Sequence, residues 1–247
     1  IALAPITTDA HVSLLAGTDI AIPPAFADSA IVADALRIDA GGNVGTADTP
    51  LLANTNALSA NVNGPDGLFI TGTTDLTTGT APAVTVQHVQ PDGSLLPVTD
   101  SALDSVATTS ADAPLFLRRT TGNLIIAGNG LQATGNAPVR LAADAGELQL
   151  EANVNTGTGT LDLRGHSGVT LGADITVATV ATGTLAVQSA SGAIAMAADA
   201  TLQTAAGNLR LDAQTTLTLG TVTTAAGTVA LTTQTGDITA ADTSDAP

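Results

Sequence analysis

The sequence predicts an all-β protein: a parallel β-helix of about ten coils with one hairpin standing out from it, and three observations carry that prediction. The first is internal repetition. Gly159, Gly183, Gly207 and Gly227 each introduce an alternating aliphatic pair, Leu161/Leu163, Leu185/Val187, Leu209/Leu211 and Val229/Leu231, and successive glycines lie 24, 24 and 20 residues apart. The second is a further aliphatic pair within each unit, eight or nine positions after the first, Val169/Leu171, Ile194/Met196 and Leu217/Leu219, and then a weaker third. The third is the period of two inside every pair, which turns Leu161 and Leu163 to one side and Asp162 and Arg164 to the other, as in a half-buried strand.

Three short strands per unit, separated by Gly, Asn, Asp and Ala, match one coil of a solenoid. A strand spacing of about 4.8 Å makes ten such coils a rod roughly 50 Å long. The same pattern runs back through Val139, Leu141, Leu148 and Leu150, and more loosely to Leu124 and Ile126. Helix propensity favours the Ala-rich stretch 193–206, but its glycine flanks and the in-register Ile194/Met196 assign it to the coils. A mean hydropathy of +0.35 is too apolar for a solvated low-complexity tract.

The chain divides into three regions: residues 1–78, irregular coils; 79–121, an insertion; and 122–247, regular coils. Within the insertion, Val84-Thr85-Val86-Gln87-His88-Val89, a Gln90-Pro91-Asp92-Gly93 turn and Ser94-Leu95-Leu96-Pro97-Val98 read as strand, tight turn, strand. Loops that leave a repetitive scaffold commonly carry recognition, so the hairpin, with His88 and Asp92, is the first candidate for ligand contact; the other reading is an insertion that only caps or covers a coil edge. Arg118-Arg119 is the second candidate. It is the one adjacent basic pair, with two readings: docking of an acidic glycan or partner carboxylate by the guanidinium fork, or pairing with Asp112 or Asp104 nearby.

Composition removes other classes. The 247 residues carry 6 Lys+Arg, all Arg, against 22 Asp+Glu, for a net charge of −16, with no Tyr or Trp to stack on bases. Nucleic acid and anionic membrane surfaces are therefore disfavoured partners, and no apolar run approaches the roughly 20 residues a membrane helix needs. No Cys is present, so disulfides and thiolate sites are excluded. The chain opens at Ile1 without a leader-like segment and reads as part of a longer polypeptide.

Catalytic and metal chemistry find little support. Asp144, Asp174, Asp199 and Asp237 are single corner acids, expected to bond their own backbone, rather than a converging pair of carboxyls. His11, His88 and His166 lie far apart without acidic neighbours at ligand spacing, and the Gly41–Asp48 stretch has the wrong spacing for a calcium β-roll. Gly128-Asn129-Gly130 and Gly157-Thr158-Gly159 lack the third glycine of a phosphate cradle, and no Gly-x-Ser-x-Gly elbow occurs. Neither a cofactor nor a metal nor a catalytic residue is expected. Among outward pairs, Arg140 should meet Asp162 one coil on. The outward Thr-x-Thr pairs fall at different places in the coil and form no regular water-ordering face.

The stretch Leu36-Arg37-Ile38-Asp39-Ala40-Gly41-Gly42-Asn43-Val44-Gly45-Thr46, with Thr49-Pro50-Leu51, Leu58-Ser59-Ala60 and Gly67-Leu68-Phe69-Ile70, resembles the coils of filamentous-haemagglutinin-type bacterial surface proteins. So do the C-terminal units from Gly207 through Leu219-Gly220 to Gly227. With interruptions the resemblance covers residues 31–78 and 122–240, on degenerate motifs. It implies a right-handed parallel β-helix, export across the outer membrane of a Gram-negative bacterium, and a role at the cell surface as adhesin or shaft. A host receptor, glycan or matrix component would then be the partner, and the open ends of such a slice would favour end-to-end self-association. Two other classes stand beside it: a polysaccharide-acting β-helix enzyme or tail-spike fragment, marked by acids gathered in one groove, and a self-assembling surface filament.

Overall fold

The computed structural model of the protein describes residues 2–28 and 30–242. The alternating aliphatic pairs become strands because turning every second side chain inward lets successive coils stack like on like. Strands Leu68–Gly72, Leu115–Arg119, Val139–Ala143, Leu161–Gly165, Leu185–Ser189, Leu209–Ala213 and Val229–Thr233 lie side by side, all parallel, and form the first face of the rod. A second face starts at Leu76–Thr78 and continues through Leu124–Ile126, Glu147–Leu150, Gly168–Leu171 and their successors to Ile238–Ala240. A third runs from Val106–Thr108 through Leu131–Ala133 and Val154–Thr156 to Thr221–Thr224. The result is a parallel β-solenoid of about 10 turns. Strands Ala193–Met196 and Thr201–Thr204 occupy the Ala-rich stretch, so coil register overrides helix propensity there.

The core is a set of columns. Leu115, Val139, Leu161, Leu185 and Leu209 are in register on consecutive coils, and none is more than 1% exposed. Each such side chain contributes about 1.5–3 kcal/mol on burial, and the repetition makes the sum large without aromatic bulk. Third-face strands other than Leu131–Ala133 end in a threonine. Thr179 and Thr204, each 3% exposed, donate their hydroxyls to the carbonyls of Gly183 and Gly207 at 2.6 Å, latching the corner that leads back to the first face. Corner Asn and Asp side chains accept from the following coil: Asn43 Oδ1 from the Asp66 N–H, Asp75 Oδ1 from that of Asn123, and Asn123 Oδ1 from that of Glu147. Asp144, expected to bond its own backbone, instead accepts from the Arg118 side chain.

The N-terminal coils are smoother than the sequence repeat implies. Ile31–Ala40 and Leu51–Val62 are single long strands that run through a change of face without a break. In Leu51–Val62, Leu58 pairs with the second-face Thr78 and Ala60 with the third-face Val106, so Ser59 alone forms the junction. In the next coil that junction, residues 79–105, is filled by the insertion. The interruption is therefore shorter than the expected 79–121, because Val106–Thr108 and Leu115–Arg119 are ordinary coil strands in register with their neighbours. Inside it, Val84–Val89 and Leu95–Asp100 form the expected antiparallel hairpin, six residue pairs long.

Candidate functional site

The hairpin projects because its stem is tied down and its shaft is not. Ala81 and Leu103 form an antiparallel bridge at the base, and the fully buried Ser59 hydroxyl accepts from the Ala81 N–H at 3.0 Å and donates to the Leu103 carbonyl at 3.1 Å. Arg37, paired in register with Ser59 on the preceding coil, donates Nε to the Ser101 carbonyl at 2.6 Å and an amino group to Asp39 at 3.1 Å. Above this anchor every residue from 85 to 89 and from 91 to 99 is exposed, including Val86, Val89, Leu95, Leu96 and Val98. A two-stranded hairpin is marginally stable in water on its own, so the buried polar anchor matters to its position.

At the tip, Gly93 takes φ +83° and the Gly93 N–H bonds back to the Gln90 carbonyl, closing the turn that Pro91-Asp92-Gly93 predicts. The Asp92 carboxylate is already engaged, accepting from the Ser94 hydroxyl at 2.7 Å and the Ser94 N–H at 2.9 Å. These bonds, the hydroxyl first, hold its carboxyl below the usual carboxylate range. His88 lies 3.2 Å from the Gln90 amide through Nδ1.

Arg118 and Arg119 part company. The period of two sends Arg118 outward, where Nε donates to Asp144 at 2.6 Å, and Arg119 inward, where it is fully buried. The expected pairing with Asp112 or Asp104 does not form, since both acids sit with the insertion or its exit while the arginines belong to a first-face strand. Arg119 donates to the carbonyls of Thr74 at 2.6 Å and Ala53 at 2.9 Å and to the Thr74 hydroxyl at 3.2 Å, bracing the corner of the two preceding coils. A Cβ on Gly72 would strike its guanidinium, which explains the glycine there. Burial pulls the Arg119 pKa down to about 10 against the opposing charge of Asp75, so the group stays cationic at neutral pH. Arg119 is a structural residue.

The four residues singled out in the sequence are therefore not one site. His88 and Asp92 belong to the hairpin, Arg119 to the core, and Arg118 to a shallow cleft of about 350 Å³ on the first face. That cleft also contains Arg140, Arg164, Asp144, His166 and Gln188. Arg118 and Arg164 flank Ala142 in register on adjacent coils, and Arg140 pairs in register with Asp162, at 3.7 Å as the repeat predicts. Asp162 also accepts from Arg164 Nε at 2.8 and 3.0 Å. The sequence holds the signal for this grouping: all three arginines occupy outward positions of successive first-face phrases. Reading Arg118 as part of the insertion conceals it.

Among the described residues no three His, Asp or Glu side chains form a metal-holding group, and no helix is long and apolar enough to cross a membrane. No family model, curated protein or solved structure matches this chain.

Proposed function

We propose that the chain is a non-catalytic rod from a large protein exported to the surface of a Gram-negative bacterium, where it carries and presents an attachment element. The observation that carries this reading is the hairpin. Buried Ser59 and Arg37 hold its base to the rod, while its shaft exposes five large apolar side chains and packs against little else. By the pairing register Val86, Leu96 and Val98 share one face of the hairpin and Val89 and Leu95 the other, and exposed apolar side chains gathered on an anchored projection offer a contact surface. The resemblance of the coils to filamentous-haemagglutinin-type shafts supports the cellular setting.

The test is a binding screen against host glycans and matrix proteins, comparing the intact chain with a variant in which residues 87–98 are replaced by a short Gly-Ser turn. Binding that disappears with the hairpin, in a variant whose circular dichroism is unchanged, is the expected result. Binding that survives would place the contact on the rod and overturn the hairpin as its seat, and an intact chain that binds nothing would leave the rod as a spacer. With no Trp, Tyr or Cys in the sequence, concentration has to be measured at the peptide band.

A further inference from the structure

Arginine placement in this chain is not scattered. Of the six arginines, Arg37 and Arg119 are at most 5% exposed and brace the hairpin stem and a coil corner. The other four, Arg118, Arg140, Arg164 and Arg210, all stand at outward positions of first-face strands. In a protein of net charge −16 every exposed arginine is thus on one face. The three in the cleft meet two acids, Asp144 and Asp162, leaving one positive charge in excess before His166 is considered.

How these guanidiniums are held matters more than their number. Arg118 and Arg164 make their hydrogen bonds through Nε, and Arg140 approaches Asp162 through Nε without a hydrogen bond. The Nη1/Nη2 edges of all three have no protein acceptor among the described residues, and the side chains are 43–58% exposed. The acids therefore orient the forks without occupying their outer edges. A planar pair of N–H donors matches the two oxygens of a carboxylate.

We propose that this cleft binds a carboxylated saccharide, a uronic-acid-containing chain lying along the rod. Three features select that class. Arg118 and Arg164 are two coils apart, about 10 Å, which is the scale on which carboxylates recur along an extended polyuronate. Phe116 stands outward one coil before Arg140 in the same column, edge-to-face with Phe69 at 4.9 Å, and offers an apolar surface to a pyranose ring beside the guanidiniums. Strands of this face are hydrogen-bonded on both sides, so an acidic peptide finds no free edge to extend. The site is separate from the hairpin and stands or falls independently of the adhesive reading.

The experiment titrates a short oligogalacturonide into the isotopically labelled full chain and follows the arginine Nε–Hε signals and the Gln188 amide by NMR. Parallel titrations use the methyl-esterified oligosaccharide and a poly-glutamate peptide of equal charge. Expected results are saturable shifts confined to the cleft, at least a tenfold loss of affinity in Arg140→Gln and in Arg164→Gln, and a smaller loss in Arg140→Lys, which keeps the charge but not the fork. Gln203→Ala, on the third face, and the hairpin-replaced variant should bind as the parent does. Absence of binding, equal binding of the ester, equal or tighter binding of the peptide, or unchanged affinity in both Gln variants would each overturn the proposal.

Discussion

Ser94 controls the charge at the hairpin tip. Its hydroxyl and N–H both bond the Asp92 carboxylate, and the lowered pKa of that carboxyl comes mainly from the hydroxyl. A carboxyl whose folded pKa lies below its unfolded value favours the ordered state above the unfolded value and loses that contribution as pH falls through the folded one. Ser94→Ala should raise the Asp92 pKa towards 3.8 while keeping the N–H bond, and the tip should then disorder at a higher pH on acidification. Carboxyl carbon NMR across an acid titration measures it, and an unmoved midpoint would contradict the assignment. This turn was legible because Pro, Asp and Gly each have a local reason to be there. The fate of Arg119 was not legible. Alternation alone says that one arginine of an adjacent pair faces inward, but a buried guanidinium requires room that only the small in-register neighbours Gly72 and Ala143 provide. That depends on three-dimensional register, which local sequence does not encode.

The insertion illustrates how an element is held by one buried side chain. Ser59 is the junction residue of its coil and its hydroxyl serves both strands of the hairpin stem. Ser59→Ala removes the side-chain bonds to the Ala81 N–H and the Leu103 carbonyl, which keep their bond to each other at 2.9 Å, a loss of about 0.5–1.5 kcal/mol per bond removed. That loss should fall on the stem: amide exchange at Ala81 and through the hairpin should quicken while the coils from Leu124 on keep their protection. Uniform loss of protection along the rod, or none, would refute a local anchor. Why the sequence reveals the hairpin but misplaces the end of the insertion is a matter of phase. Leu68 and Leu115 are 47 residues apart, so one interrupted coil occupies nearly the length of two, and the aliphatic pairs resume with no visible offset. The returning third-face strand is only Val106-Ala107-Thr108, too short to announce itself. The regular coils after Asn123, by contrast, repeat often enough for register to be read directly.

At the scale of the whole molecule, two long-range effects oppose each other. Val229 and Ile238 continue the columns of Leu209 and Leu217, which are at most 1% exposed, yet they are themselves 42% and 46% exposed. Their strands are paired on one side only among the described residues, and an edge of that kind, backed by apolar columns, is a template for another chain. Against this, two copies each carrying −16 repel one another, and the repulsion reaches about 30 Å at 0.01 M salt but only about 10 Å at 0.1 M. Association of the 247-residue chain should therefore be absent at low ionic strength and grow as salt is added. Uronate binding should show the opposite trend, because salt weakens contact between guanidinium and carboxylate. Light scattering coupled to size exclusion across a salt series measures the first effect, and Ile238→Asp, which puts a charge on the exposed column, should hold the chain monomeric at every salt concentration. A parent that stays monomeric throughout, or an Ile238→Asp chain that assembles as the parent does, would show that this exposed edge does not recruit a second copy.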